Sequence, residues 1–279
     1  MNGIKRIRLS WLPAHILAWG YAALLLVPVY YFLASAFKDN DRIFGSPLGL
    51  PDSLSFRNFT RAFDLAQLGQ AVTNSALVTV GGLVVTLALA LPASFALARS
   101  TGWAGRAMER AFSLGFLVPT FAALFPTFLL AANTGLFHTR TFMVLLLPAT
   151  AMPLSVVLLT QFMRTVPPEL EEAARMDGAG TFAVLRHIYA PIALPGIAAV
   201  VLLNFLNFWN EYLYSLIIIG PDPEQRTTQL ALPTLVSTSG TDYGVLTAAT
   251  VITLLPVYAV YTVLQKRMQS ALISGAVKM

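Results

Sequence analysis

The sequence predicts an all-α membrane protein with six transmembrane helices. Of its 279 residues, 56% are hydrophobic and only 11% are charged, a balance that excludes a soluble globular chain. The hydrophobic residues are gathered in runs of about twenty, the length that crosses a bilayer as a helix. A charged segment with its own helical pattern separates the fourth run from the fifth. We expect residues 1–279 to form a single transmembrane domain.

The predicted spans lie at about 12–36, 71–98, 110–133, 141–163, 191–219 and 244–265. The first contains Ala34-Ser35-Ala36, which resembles a signal-peptidase site, but a run of this length favours an uncleaved span. It follows three basic residues, Lys5, Arg6 and Arg8. With the N-terminus inside, 12 of the 18 Lys and Arg residues are cytoplasmic and 6 are outside. This bias predicts that both termini are cytoplasmic.

Several classes of function are excluded by what the sequence lacks. No Gly-Lys pair occurs, so the phosphate-binding loop of an ATPase is missing. The chain has no cysteine, and its three histidines (His15, His138 and His187) fall in separate regions, so we expect no metal site. A net charge of +5 in a membrane protein reflects the bias of its loops rather than binding of nucleic acid. We therefore expect no catalytic residue and no cofactor bound by this chain.

Prolines lie inside spans three and four, at Pro119, Pro126, Pro148 and Pro153. A proline kinks a transmembrane helix and frees a carbonyl, which is tolerated where protein or a water-filled cavity satisfies it. These kinks suit a transport path and equally suit ordinary packing of a helix bundle.

Span five carries the most polar row, which consists of Asn204, Asn207, Trp209, Asn210 and Glu211. Asn204, Asn207 and Glu211 are spaced i, i+3 and i+7, which places them on one face of a helix. A carboxylate with amides is costly in lipid and indicates a protein-lined or water-filled interior. Amides beside aromatic rings suit a sugar, whose hydroxyls take hydrogen bonds. The alternative is that Glu211 and Trp209 mark the outer membrane interface.

The charged segment between spans four and five covers residues 166–190. Pro168 suits the first turn of a helix, and the acidic residues that follow complement the positive end of the helix dipole. Asp177-Gly178 predicts the end of this helix. We expect a short amphipathic helix in the cytoplasm, which a soluble partner can grip. A helix lying on the lipid surface is the alternative, but acidic residues disfavour contact with an anionic leaflet.

The spacing of Glu172-Ala173-Ala174, Gly178, Ile188 and Pro191 is similar to the EAA loop of ABC-importer permeases. The family usually has Leu before this proline, where this chain has Ala190. Further matches resemble permeases of carbohydrate importers of the maltose type. They are Asn74-Ser75, Phe205 followed by Trp209-Asn210, Thr227-Thr228-Gln229-Leu230, and the tail Gly275-Ala276-Val277-Lys278, with Met279 where Gly is usual.

The resemblance implies a permease subunit of an ATP-driven importer in a prokaryotic plasma membrane, with a carbohydrate as the substrate. The implied partners are a second, different permease chain, a dimer of cytoplasmic ATPases that binds ATP and Mg, and an extracytoplasmic binding protein. The residues implied to couple the chain to the ATPase are Leu170, Glu172, Ala173, Ala174, Asp177 and Gly178. Among them Glu172 would bind a basic group, and the small residues would permit close approach.

Other readings of the sequence remain open. An ion-coupled secondary transporter would use Glu211 as its coupling group, although such carriers are expected to bury several ionisable residues across their spans. An ABC permease for a solute other than a sugar is a second alternative. A membrane anchor that transports nothing is a third, and the polar row of span five disfavours it.

Overall fold

The computed structural model describes residues 12–276, and no β-strand occurs in that range. The predicted all-helical class is therefore confirmed. The orientation signal of Lys5, Arg6 and Arg8 and the end of the tail, including Lys278 and Met279, lie outside the described residues. The chain divides into two compact units, one of residues up to Leu68 with Thr234–Thr253, and one of Gly69–Pro233 with the chain from Leu254 onward.

The first unit contains α1 (Leu12–Ser35), α2 (Asn40–Gly45), α3 (Arg57–Ala66) and the start of α14 (Tyr243–Ala276). The side chain of Asn58 is buried and donates hydrogen bonds to the carbonyls of Ala36 and Lys38, at 3.1 and 2.8 Å. The segment after α1 is therefore folded rather than extended. Most of the large apolar side chains of α1 are exposed, as expected for a helix whose surroundings are lipid or another chain.

The second unit contains the later part of α14 and the helices from α4 to α13. They are α4 (Leu68–Arg99), α5 (Trp103–Leu114), α6 (Thr120–Asn133), α7 (Arg140–Met163), α8 (Pro168–Met176), α9 (Thr181–Val184), α10 (Ala190–Ile192), α11 (Leu194–Trp209), α12 (Leu213–Ile218) and α13 (Thr228–Ala231). A π-helical turn, Leu185–Tyr189, joins α9 to α10, and 3-10 turns follow α5 and α13.

Within residues 12–276, four continuous helices are long and apolar enough to cross a membrane: Pro13–Ser35, Leu68–Arg99, Arg140–Met163 and Tyr243–Lys266. Spans three and five, predicted at about 110–133 and 191–219, are not continuous helices in the structure. Each is a pair of helices, bent by 98° between α5 and α6 and by 78° between α10 and α11. The described residues therefore contain four to six candidate spans, and six if each bent pair counts as one.

Prolines explain both bends. Pro119 is extended and stands directly before α6. At this position its missing N–H leaves no helical hydrogen bond unmade. At the second bend Pro191 lies in α10 and Pro195 lies in the first turn of α11, where its missing N–H removes no internal hydrogen bond. Kinks were predicted in spans three and four. Span three is sharply bent, whereas span four is the single helix α7, which contains Pro148 and Pro153.

Polar side chains at the start of α4 hold the loop before α13. Asn74 is fully buried and donates to the carbonyls of Glu224 and Arg226, each at 2.9 Å. The Ser75 hydroxyl accepts a hydrogen bond from the backbone N–H of Thr228 at 2.9 Å. Asn74-Ser75 and the stretch that begins at Thr227, which both carried the family resemblance, therefore lie together inside this unit. Their hydrogen bonds serve packing.

Candidate coupling surface and transport cavity

The short helix α8 forms for the reasons that its sequence indicates. Pro167 is extended and Pro168 occupies the first helical position, while Glu169 and Glu171 lie in the first turn. At the other end Gly178 adopts a left-handed conformation with φ of +83°. Its N–H donates to the carbonyl of Arg175, and the N–H of Ala179 reaches back to Ala174. These two bonds form a Schellman motif, so the chain turns sharply where a glycine was predicted to stop the helix.

Glu171 is the most enclosed acidic residue of α8. Its carboxylate forms an ion pair with Arg99, the last residue of α4, and accepts a bond from Arg175 Nε at 2.9 Å. The Tyr189 hydroxyl, from the π-helical turn, donates to the same carboxylate at 2.8 Å. Only 11% of the Glu171 side chain is exposed. The neighbouring Glu172, which was predicted to carry the coupling, is exposed.

Aromatic contacts enclose this ion pair. The Tyr189 ring meets the Phe95 ring edge to face, with centroids 4.7 Å apart. The Arg99 guanidinium lies 4.7 Å from the centre of the Phe95 ring, within the range of a cation–π contact. We call these residues, Phe95, Arg99, Glu171, Arg175 and Tyr189, the Glu171 cluster.

The protonation of Glu171 is set by two opposed effects. Burial alone would raise the pKa of its carboxyl, because the charged form loses water. Hydrogen bonds from Arg175 and Tyr189, with the charges of Arg99 and Arg175, outweigh burial and hold the pKa below its ordinary value. Glu171 is therefore ionised at neutral pH and its ion pairs are intact.

The outward face of α8 is mixed in chemistry. Met176 is 88% exposed and Leu170 is 44% exposed, and Phe182 of α9 is 72% exposed. Glu172, Ala173 and Asp177 are also exposed, whereas Ala174 is half-buried and packs towards the core of the unit. We call Leu170, Glu172, Ala173, Met176 and Asp177 the outward face. Apolar side chains and unshielded carboxylates thus lie together on a helix that a partner can approach.

The polar row of span five is arranged differently from the prediction. The helix α11 ends at Trp209, so Glu211 lies in a break and does not share a helical face with Asn204 and Asn207. Its carboxylate accepts hydrogen bonds from the backbone N–H groups of Tyr214 and Ser215, at 2.6 and 2.9 Å. Glu211 therefore caps the start of α12, as carboxylates do at helix N-termini.

A cavity of about 380 Å³ opens beside this break. Of the predicted row, Asn207, Asn210 and Glu211 line it, and Asn204 and Trp209 do not. Asn204 is 1% exposed and donates to Ser155 of α7 at 2.8 Å, while Trp209 is 3% exposed and stacks on Phe205. Both are thus packing residues of α11 in this structure.

Several residues of the two sites were not singled out from the sequence. The cavity is also lined by Thr120, Thr150, Tyr212 and Tyr214, which come from α6, α7, the break after α11, and α12. In the Glu171 cluster, the sequence predicted no site role for Arg99 or Tyr189. The i, i+4 spacing of Glu171 and Arg175 was the one local signal for the cluster. Among the described residues, no group of acidic or histidine side chains fits a metal ion.

Curated relatives of this chain are permeases of uptake systems. The diacetylchitobiose uptake system permease protein NgcG of Streptomyces coelicolor is 33% identical over 264 residues, covering 94% of this chain and 87% of the relative. The melibiose/raffinose/stachyose import permease protein MelC of Bacillus subtilis is 27% identical and covers 98% of each chain.

A solved structure shares the fold. A bacterial ABC transporter involved in the import of the acidic polysaccharide alginate contains a chain that is 23% identical, with a TM-score of 0.81 over 93% of this chain and 96% of the other. The family model for the binding-protein-dependent transport system inner membrane component matches residues 82–274, which is more than half of the chain. The chain therefore belongs to the binding-protein-dependent transport system inner membrane component family.

Proposed function

We propose that this chain is the carbohydrate permease subunit of an ATP-driven importer in a prokaryotic plasma membrane, with both termini in the cytoplasm. As a member of its family it is a transport subunit, and a partner ATPase hydrolyses ATP. The carbohydrate class is supported by relatives named for diacetylchitobiose, for melibiose, raffinose and stachyose, and for α-glucosides. An ion-coupled carrier has no support from these relatives.

The proposed complex contains a second, different permease chain, two ATPase subunits that bind ATP and Mg, and an extracytoplasmic binding protein. Support comes from the family description, which names dependence on a binding protein. A related solved importer was also captured with a periplasmic protein that carries an alginate pentasaccharide. The exposed α1 leaves a long apolar surface available to lipid or to the second permease chain.

The outward face of α8 is the proposed contact with the ATPase. Leu170 and Met176 offer apolar surface that a cleft can bury, and Glu172 offers a carboxylate to a basic group. Ala173 permits close approach, and Gly178 with Asp177 fixes where the helix ends. The observation that carries this role is the presence of such a face on a short helix between two spans, in a chain of this family.

Alternating access is the proposed mechanism. Closure of the ATPase pair on ATP would displace α8, and the spans connected to it would change their tilt and open the path to the other side. The cavity beside Asn207, Asn210 and Glu211 supplies amide and carboxylate groups next to tyrosines, a set that suits sugar hydroxyls and the C–H faces of a pyranose ring. We propose that this cavity forms part of the path.

Reconstituted transport tests the proposal. The complex is co-purified with its ATPase and binding protein and placed in proteoliposomes, and uptake of labelled diacetylchitobiose, melibiose and an α-glucoside is measured with and without ATP. We expect ATP-dependent uptake of at least one sugar. Uptake that follows an ion gradient without ATP would contradict the proposal.

The contact with the ATPase has its own test. Glu172→Lys reverses the exposed charge on α8, and we expect both ATPase retention and uptake to fall. Asp64→Lys is the matched control, because Asp64 is an exposed acid on α3 rather than on α8. Normal uptake by Glu172→Lys, with the ATPase retained, would refute the role of the outward face.

A further inference from the structure

One acidic residue of α8 is turned away from the outward face. Glu171 and Glu172 are adjacent in sequence, so they point about 100° apart around the helix. Glu172 is exposed, whereas Glu171 is enclosed by Arg99, Arg175 and Tyr189. The Glu171 carboxylate is therefore bound within this chain, whereas the Glu172 carboxylate is exposed and accessible to a partner chain.

The partners of Glu171 belong to two elements besides α8. Arg99 is the last residue of α4, the helix of 32 residues that forms the second span. Tyr189 ends the π-helical turn, which continues through α10 into α11. A single carboxylate thus joins α8 to α4 and to the segment that leads into α11.

The geometry of this junction resists deformation. Tyr189 is only 4% exposed, and its ring is fixed against Phe95 of α4. The guanidinium of Arg99 is held over the same ring and pairs with Glu171. A charge that is partly removed from water and loses one partner is destabilised by the desolvation that remains, so the three groups favour staying together.

The π-helical turn contributes to this arrangement. Five residues, Leu185–Tyr189, form the turn directly before α10. Such turns carry one residue more than an α-helix would and change which side chains face a neighbour; they are frequent at functional sites. Here the side chain presented to Glu171 is Tyr189, whose hydroxyl lies 2.8 Å from the carboxylate.

We propose that Glu171 is a positioning residue that fastens α8 to α4 and to the start of span five, so that a displacement of α8 moves both spans. This inference rests on the proposed function, in which an ATPase displaces α8. Without the fastening, the ATPase would still bind the outward face and hydrolyse ATP, but the loop would bend on its own. The expected signature is a loss of coupling rather than a loss of assembly.

The test compares Glu171→Gln with a matched control, Glu109→Gln. Glu109 of α5 pairs at 2.7 Å with Arg164, which directly follows α7, so its replacement also removes an ion pair within this unit but none that a residue of α8 makes. Each complex is purified with its ATPase, and sugar uptake per ATP hydrolysed is measured in proteoliposomes with whichever of the three sugars the unaltered complex transports.

We expect Glu171→Gln to retain the ATPase and to lower uptake per ATP about fivefold or more, which is the lower end of typical coupling between sites. Glu109→Gln should keep the ratio of the unaltered complex. Tyr189→Phe removes one hydrogen bond and keeps the ion pairs, so it provides a milder variant if Glu171→Gln does not assemble. An unchanged ratio in assembled complexes of both Glu171→Gln and Tyr189→Phe would overturn the inference.

A readout that needs no sugar supports the same test. The chain has no cysteine, so spin labels can be attached at Ala96→Cys on α4 and Glu169→Cys on α8, two exposed positions that are not among the outward-face residues. We expect one narrow distance distribution in the assembled complex, and a broader one when Glu171→Gln is added. An unaltered complex that shows no ATP-driven uptake would instead count against the proposed function, which separates that failure from a failure of this inference.

Discussion

Two carboxylates of the same unit, Glu171 and Glu211, are held in opposite ways. Glu171 is bound by side chains from α4 and from the π-helical turn, at sequence separations of 72 and 18 residues. Glu211 is bound by N–H groups only three and four residues further along. The first therefore joins separate elements, while the second stabilises a local turn. An acid in a membrane protein is not by itself a sign of transport chemistry, and its partners decide its role.

Charge reversal at Glu171 should have the largest effect on stability. Glu171→Lys places a third cation beside Arg99 and Arg175, and we expect the free energy of unfolding to fall by about 3 kcal/mol, the low end for a broken ion pair because both arginines are partly exposed. Thermal denaturation of the purified chain measures it. Glu172→Lys is the matched variant and should change stability little, since its side chain is exposed. Equal losses in both would show that the enclosed position is unimportant.

The glycine that ends α8 offers the next largest effect. Gly178→Ala has room for its methyl group but must keep φ at +83°, which costs an L-residue about 1–2 kcal/mol. We expect reduced ATPase retention, because the last turn of α8 would unwind. Gly178→Asn should lose less, since asparagine tolerates this conformation better. The opposite order of the two variants would argue against the Schellman motif as the cause.

Loss of the cap that Glu211 forms should lower stability by a smaller amount. Glu211→Ala removes both acceptors for the first turn of α12 and should lower stability by about 1 kcal/mol. Glu211→Gln keeps an acceptor oxygen and should lose less. A change of uptake with pH that disappears in Glu211→Gln, with stability unaltered, would instead favour a role of this carboxylate in moving protons.

The smallest expected effects distinguish a residue that lines the cavity from a nearby residue that does not. Asn207 lines it and is exposed, so Asn207→Ala should raise the KM for the transported sugar about three- to tenfold, the equivalent of one lost hydrogen bond. Asn204→Ala should lower stability and leave KM unchanged, because Asn204 is bonded to Ser155 and lies outside the cavity. Concentration-dependent uptake measures both, and the reverse pattern would remove the cavity from the transport path.

The sequence predicted the parts of the fold that depend on local patterns. Runs of apolar residues identified the spans, and Pro168 and Gly178 marked both ends of α8, because caps and backbone conformations are properties of a few adjacent residues. The sharp bends were not predicted. A proline permits a kink in a helix, but the angle depends on what packs around it, such as Pro153, which lies against Gly115 at the end of α5.

The candidate sites were predicted only in part, for a related reason. The outward face of α8 follows from helical periodicity, and so was accessible from the sequence. The contact of Glu171 with Arg99 and Tyr189 joins residues far apart in the chain, and no rule based on local spacing predicts it. Glu211 was predicted to share a helical face with Asn204 and Asn207, but α11 ends at Trp209, two residues before it.

Cross-linking from the outward face tests the central claim most directly. A photoreactive group is attached at Met176→Cys, and as a control at Asn133→Cys, an exposed position at the end of α6 that is predicted to lie on the opposite side of the membrane. In a complex that transports sugar, we expect Met176→Cys to cross-link to the ATPase and Asn133→Cys not to. A transporting complex in which Met176→Cys reacts only with reagents added outside, and never reaches the ATPase, would contradict the coupling role of α8.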